Sequence, residues 1–205
     1  MGLPRPLAEA RFCPHCAAPL ALRRPEGDSR DRLVCTACGQ ILYLGLKVAA
    51  GVIAERDGKA LLIRRGVPPG IGLWSFPCGY AEIDETLEQC AVRETQEETG
   101  LEVRLGPLLG AWSDPAVPDR PAGVAVLAYA ARILGGTAAA GDDATEIRFA
   151  GPEEIPWEEL AFTSSRGALR AWIERRGAAN APGASSGAPM HQRRSTRRRG
   201  STGTR

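Results

Sequence analysis

An acidic segment at residues 79–102 holds the residues with the clearest capacity for chemistry. It contains eight aspartate or glutamate residues and a single basic residue, Arg93. Thr86 and Gln89 have the spacing of a capping box, and Gly100 stands where a C-terminal cap glycine is expected. The pattern therefore predicts a helix that begins at Thr86 and ends at Gly100.

Three carboxylates share one side of this predicted helix. At about 100° per residue, Glu94, Glu97 and Glu98 fall on the same side as Leu87 and Ala91. An ordinary solvated acidic face would lie opposite the apolar residues, and like charges three and four residues apart repel each other. A bound cation would relieve this repulsion, and Mg²⁺ prefers carboxylate oxygens together with water. The pattern therefore predicts a magnesium site on this helix.

The same segment resembles the Nudix box, a motif in which glycine, glutamate and arginine occupy fixed positions. The charged and glycine positions of the motif are matched by Gly79, Glu85, Arg93, Glu94, Glu97, Glu98 and Gly100. The resemblance extends over residues 47–176. It implies an α/β/α sandwich with a mixed sheet, and a hydrolase that cleaves the phosphoanhydride bond of a nucleoside diphosphate linked to another moiety.

The resemblance also implies roles for individual residues. The candidate ligands of a catalytic Mg²⁺ or Mn²⁺ are Glu82, Glu94, Glu97 and Glu98. Glu97 and Glu98 are also candidate catalytic residues, together with Arg93 and the carboxylate that it is expected to hold in place, Glu85. The general base is expected to be a glutamate of the box, with Glu146 as the alternative.

The residues that contact the substrate are expected outside the box. Arg64 and Arg65 are candidates because arginine pairs well with phosphate oxygens, and Glu146, the alternative base, is the third candidate. Substrates of the ADP-ribose or FAD type are favoured, since residues 153–162 resemble ribbon-bearing relatives that cleave these compounds. The expected partner is therefore a small nucleotide, and the sequence leaves a homodimer open.

Four of the six cysteines form two Cys-x-x-Cys pairs. The pairs are Cys13 with Cys16 and Cys35 with Cys38, and 18 residues separate them. This spacing is typical of a closed, structural four-cysteine zinc site. The surrounding residues include too few apolar side chains for a core, so Zn²⁺ would supply the folding energy. The sequence predicts a zinc ribbon, which resembles the ribbon that precedes the Nudix domain in some bacterial and plant relatives.

Strands and helices are mixed along the rest of the chain, which favours an α+β fold. Strands are predicted at 48–55, 60–64, 101–112, 123–133 and 146–149, and helical segments at 153–160 and 165–176. The predicted parts are the zinc ribbon at 1–46, the hydrolase domain at 47–177 and a basic tail at 178–205. The tail contains six arginines and no acidic residue in a chain of net charge +2, and it is predicted to be disordered.

Composition limits the remaining classes of protein. No apolar run approaches the roughly 20 residues that span a membrane, and residues 1–10 lack the apolar region of a signal peptide. A cytoplasmic protein with no membrane partner is therefore expected. The alternative is a nucleic-acid-binding or ligand-sensing regulator built on the same ribbon and domain. Six basic and four acidic residues at 1–46 are a weak nucleic-acid footprint, and the complete set of box glutamates favours the enzyme.

Overall fold

The computed structural model describes residues 10–116 and 122–180 of the 205-residue chain. The N-terminal part is an antiparallel sheet of three short strands, β1 (Leu20–Arg23), β2 (Arg32–Cys35) and β3 (Ile41–Leu42). The second cysteine pair starts at the last residue of β2, and Cys13 and Cys35 are buried. The prediction of a small ribbon before the main domain is confirmed.

One mixed sheet forms the centre of the main domain. Its strands are β4 (Lys47–Arg56), β5 (Lys59–Arg65), β6 (Trp74–Ser75), β7 (Cys78–Tyr80), β8 (Leu101–Asp114), β9 (Val124–Gly136) and β10 (Ala144–Ala150). The strand order is β10-β5-β4-β9-β8, with β6 paired to β5 and β7 paired to β4. β4 and β9 run parallel, whereas β8 and β9 are antiparallel, so the sheet is mixed as predicted.

Two helices cover opposite faces of this sheet. They are α1 (Leu87–Thr99) and α2 (Thr163–Asn180). Successive side chains of a strand point to opposite faces, and along β4 Val52 packs in the cluster under α1 while Ile53 packs in the cluster under α2. The predicted α/β/α sandwich is therefore confirmed, and both helices are held by apolar burial against the same strands.

Some predicted boundaries differ from the structure. The single helical segment predicted at 153–160 is wrong, because the chain forms two 3₁₀ turns there, Pro152–Glu154 and Trp157–Glu159. Pro156, which has no N–H to donate, stands between them. Helix α2 continues to Asn180, beyond the boundary predicted at residue 177. The rest of the predicted tail lies outside the described residues. In the described part of the chain, no helix is long and apolar enough to cross a membrane.

Candidate active site and zinc centre

The acidic helix α1 begins and ends where its capping residues predict. The Thr86 hydroxyl accepts a hydrogen bond from the Gln89 backbone N–H at 3.2 Å, and the Gln89 side chain accepts one from the Thr86 backbone N–H at 2.8 Å. Gly100 follows the helix at φ 67°, a left-handed conformation that glycine adopts at little steric cost. These caps fix the extent of α1 and with it the placement of its carboxylates.

The approach of α1 to β7 depends on a glycine. A Cβ atom at Gly79 would lie 2.0 Å from Cδ of Glu94, so a larger residue would displace this carboxylate. Cys90 and Ala91 anchor the helix from the other direction, because both are fully buried. The glycine of the motif therefore provides the space in which Glu94 lies.

Arg93 joins three carboxylates beside the helix. Its Nε and Nη2 atoms donate to the two oxygens of Glu85 at 3.0 and 2.6 Å. Its Nη1 atom donates to Glu94 at 2.8 Å and to Glu97 at 2.9 Å. The hydrogen bonds from Arg93 and from the backbone N–H of Glu82 lower the pKa of Glu85 to about 2. Arg93 thus holds Glu85 as an ion and fixes the positions of the two glutamates on its other side.

Glu98 lies in the interior, with 4% of its surface exposed. One of its oxygens accepts a hydrogen bond from the backbone N–H of Cys78 at 2.9 Å. Burial raises the pKa of Glu98 to about 8, and the nearby charge of Glu94 adds to the effect. Burial also raises the pKa of Glu94. A divalent cation would stabilise both carboxylates as ions, so these residues fit a Mg²⁺ or Mn²⁺ site.

A cavity of about 320 Å³ lies next to these carboxylates, within the usual size range of small-molecule sites. Glu82, Glu94 and Glu98 contribute to its lining, together with Arg65 and Asp143. The same cavity therefore offers oxygen ligands for a metal ion and a guanidinium for a phosphate group. Glu85, Arg93 and Glu97 form the adjoining ion-pair network, in which the side chain of Glu97 is 43% exposed.

The two adjacent arginines of β5 have different surroundings. Arg65 lines the cavity, donates to the carbonyl oxygen of Pro69 at 2.7 Å and stacks 5.1 Å from the ring centre of Phe162. Burial lowers its pKa. Arg64 instead pairs with Glu146 at 3.4 Å, and both of these side chains are well exposed. Of the three predicted substrate contacts, the structure brings Arg65 to the cavity and pairs the other two with each other.

The four cysteines of the ribbon converge on one point. Their sulfur atoms all lie within 4.8 Å of one another, with Cys13–Cys38 at 3.8 Å and Cys16–Cys35 at 3.4 Å. A tetrahedral zinc site with Zn–S bonds of about 2.3 Å has sulfur–sulfur edges of about 3.8 Å, so the cluster fits zinc closely.

Backbone groups stabilise the thiolates that such a site requires. The N–H groups of Ala37 and Cys38 both lie 3.4 Å from the sulfur of Cys35. These contacts lower the pKa of Cys35 to about 6. The turn therefore favours the anionic form of Cys35, whereas hydrogen bonds with the sulfurs of Cys35 and Cys16 raise the pKa of Cys38.

Comparison with protein-family models assigns both parts of the chain. The NUDIX domain model matches residues 45–173, and the model described as Nudix N-terminal, a zinc ribbon, matches residues 11–44. The chain belongs to the Nudix family. It is a Nudix hydrolase, an enzyme that acts on nucleoside diphosphate derivatives, with an N-terminal ribbon that carries a four-cysteine cluster.

Two relatives and one solved structure show the extent of the similarity. An ADP-ribose pyrophosphatase of Methanocaldococcus jannaschii is 42% identical over 121 residues, which cover 59% of this chain and 70% of that protein. The NAD-capped RNA hydrolase NudC of Chromobacterium violaceum is 42% identical over 96 residues, 46% of this chain and 34% of that protein. A crystal structure of a NUDIX hydrolase from Nitrosomonas europaea is 34% identical with a TM-score of 0.73, covering 82% of this chain and 93% of that one.

Sequence reasoning missed two acidic residues that line the cavity of this Nudix hydrolase, Asp114 and Asp143. Asp143 lies between β9 and β10, where the backbone N–H of Gly66 donates to its carbonyl oxygen at 2.6 Å. An acidic pair in a loop between two strands was the available signal for Asp143. Asp114 ends a long strand, and its position in the cavity depends on a hydrogen bond from Ser164 at the start of α2, 50 residues away. No local sequence pattern reveals this contact.

Proposed function

We propose that this Nudix hydrolase cleaves the diphosphate of ADP-ribose, or of a related FAD-type compound, with Mg²⁺ or Mn²⁺ as cofactor. The observation that carries the proposal is the placement of half-buried Glu94 and buried Glu98 in the lining of the same cavity as Arg65. A metal ion bound by the two glutamates and the guanidinium of Arg65 would together neutralise the charge of a diphosphate in this cavity. The similarity to an ADP-ribose pyrophosphatase over 59% of the chain supports the choice of substrate.

The metal ligands are proposed from the cavity and from the motif. Glu82, Glu94 and Glu98 line the cavity, and Glu97 joins them as a proposed ligand because of its place in the motif. When bound, the metal ion supplies charge neutralisation on the diphosphate and activates water. In the ribbon, the four cysteines are proposed to hold one structural Zn²⁺ that takes no part in the reaction.

The side chains of the protein have separate tasks in the proposed reaction. Arg65 orients the diphosphate, and Arg93 with Glu85 positions the ligand-bearing part of α1. Oxygen of water adds to phosphorus, the bridging P–O bond breaks, and ADP-ribose yields AMP and ribose 5-phosphate. The proton of the water passes to a cavity carboxylate, and we favour Glu98 or Asp143 over Glu146 because both line the cavity while Glu146 is exposed and paired with Arg64.

A second candidate substrate is the NAD cap of an RNA, which contains the same kind of diphosphate. The 42% identity to the Chromobacterium violaceum enzyme favours it, although the chain spans only about a third of that protein. We also infer that the enzyme resides in the cytoplasm, because zinc binding needs reduced cysteines and all six cysteines are free of disulfides.

The test is a comparison of substrates under matched conditions. Purified protein is assayed with Mg²⁺ against ADP-ribose, FAD, NADH and an NAD-capped RNA, and the products are separated by chromatography. ADP-ribose is expected to give AMP and ribose 5-phosphate with the highest kcat/KM, and the Glu98→Gln variant is expected to form both products at least about 100-fold more slowly. A higher kcat/KM for the capped RNA would reassign the substrate, and no turnover of any of them would refute the proposal.

A further inference from the structure

A buried carboxylate lies in the cavity of the Nudix domain without a cationic partner. Asp114, the last residue of β8, is 3% exposed and lines the cavity. In the part of the chain that the structure describes, no lysine or arginine forms an ion pair with it. A carboxylate removed from water in this way needs other hydrogen-bond donors.

Two of these donors come from the start of α2. The backbone N–H of Ser164 donates to Oδ1 of Asp114 at 3.0 Å, and the Ser164 hydroxyl donates to Oδ2 at 2.5 Å. Asp114 therefore caps one of the N–H groups that a helix leaves open at its N-terminus. A carboxylate accepts about four hydrogen bonds, so each oxygen retains capacity for one more. Because Asp114 lines the cavity, that capacity is available to a ligand.

The wall next to Asp114 is a sheet surface of apolar side chains. Asp114 is paired across the sheet with Val124, and Ala49 is paired with Val126. Together with Phe76 these apolar side chains line the cavity and belong to the buried cluster beneath α2. One part of the cavity therefore holds carboxylates and Arg65, which suit a diphosphate with its metal ion. The other part is an apolar sheet surface on which the Asp114 carboxylate is a hydrogen-bond acceptor. A planar base that carries a hydrogen-bond donor fits this second region.

We propose that Asp114 is a specificity residue that accepts a hydrogen bond from the exocyclic amino group of the substrate's base, and so selects adenine over hypoxanthine. This inference rests on the proposed function, because it assigns the nucleoside end of the same substrate. Hypoxanthine has a carbonyl oxygen in place of the amino group. Its oxygen would face a carboxylate that can only accept, and both acceptors would remain unpaired.

The test reverses the polarity of this position without removing the helix cap. In Asp114→Asn, the amide oxygen can still accept from the Ser164 N–H, and the amide NH₂ can donate to the Ser164 hydroxyl. Binding of AMP and of IMP is measured by calorimetry in Mg²⁺, beside kcat/KM for ADP-ribose and its hypoxanthine analogue. The wild-type protein is expected to prefer the adenine compound by about tenfold or more, and the variant to lose or reverse that preference.

The control is Ser164→Ala, which removes one donor to Asp114 and leaves the acceptor in place. It is expected to keep the adenine preference. An unchanged preference in Asp114→Asn, or equal weakening of both ligands with a lower Tm, would overturn the proposal. Because AMP binding needs no turnover, a protein that prefers AMP but does not cleave ADP-ribose would refute the proposed function alone.

Discussion

The cysteine cluster of the ribbon and the carboxylate cavity of the Nudix domain are both suited to metal ions, but the chain builds them in different ways. The four sulfurs come from two short turns, and N–H groups of one of these turns approach the Cys35 sulfur. The charged side chains of the cavity come from β5, β8, α1, the segment before α1 and the loop before β10. Local spacing therefore defines the first site, whereas the second exists only after the sheet and its two helices have packed.

The two sites also differ in what their loss would do. In its described residues the ribbon has three short strands, so we expect its order to depend on a metal ion bound by the four cysteines. The Nudix domain has two apolar clusters of its own, and its cavity carboxylates are acidic groups held near one another at an electrostatic cost. Removal of a cysteine should therefore damage folding of the ribbon, whereas removal of a carboxylate should damage the chemistry and leave the Nudix domain folded.

The largest effect is expected from Glu98→Gln, which keeps the shape of the side chain but removes a negative charge. Hydrolysis should fall by about two to four orders of magnitude, the range that corresponds to several kcal/mol of metal-dependent stabilisation. The matched control is Glu88→Gln on the same helix. Glu88 accepts a hydrogen bond from the Tyr129 hydroxyl at 3.1 Å, and it is not among the residues that line the cavity. Equal kcat/KM values for the two variants in saturating Mg²⁺ would show that α1 does not hold the catalytic metal.

Glu98→Gln should also change how thermal stability depends on pH, which is an effect separate from the loss of hydrolysis. In metal-free protein the pKa of Glu98 is raised to about 8 in the folded state, so the folded state holds a proton that the unfolded state releases. Wild-type stability should therefore decline as the pH rises from about 4.5 through 8, and Glu98→Gln should lack this part of the decline. Thermal unfolding in EDTA at several pH values measures it. If the Tm of both proteins changes with pH in the same way, burial does not raise the pKa of Glu98.

The next largest effect is expected from Cys35→Ser in the ribbon. Wild-type protein should contain about one zinc per chain by elemental analysis, and the variant should contain almost none, since a hydroxyl replaces a thiolate ligand. Amide exchange in β1 to β3 should become fast while the main sheet stays protected. Cys78→Ser serves as the control for zinc content. A zinc-free variant in which β1 to β3 remain protected would show that the ribbon folds without metal.

The sequence predicted the parts of the molecule that local rules determine. The capping box at Thr86, the cap glycine Gly100 and the cysteine spacing are short-range features, and the structure confirms each of them. Arg64 and Arg65 could not be separated by pattern, because which one faces the cavity depends on the pairing of β5 with β10 and on the loop at 67–69. Asp143 and Asp114 were missed for the same reason, since long-range packing brings them to the cavity.

An intermediate effect is expected from Arg93→Lys. Lysine keeps the charge but cannot bind both oxygens of Glu85 while also reaching Glu94 and Glu97, as Arg93 does. Loss of such supporting contacts around a metal site usually costs about 10- to 100-fold, so kcat should fall and the required Mg²⁺ concentration should rise. Arg64→Lys, on the exposed pair with Glu146, is the matched control and should change little. If the two variants respond alike, the Arg93 network does not position the site.

The smallest effect is expected from truncation after Asn180. Residues 181–205 contain six arginines, no acidic residue and few apolar ones, so they have little with which to anchor themselves to the Nudix domain. The cut belongs after Asn180 because α2 extends that far and its residues Ala168, Leu169 and Trp172 belong to the buried cluster. The truncated protein should keep its Tm and its kcat for small nucleotides.

An RNA substrate provides the contrast, since arginines attract the phosphate groups of RNA by an electrostatic interaction that weakens with salt. Loss of activity on capped RNA alone would assign the tail to RNA binding, whereas a large loss of kcat on ADP-ribose would place the arginines in the catalytic site.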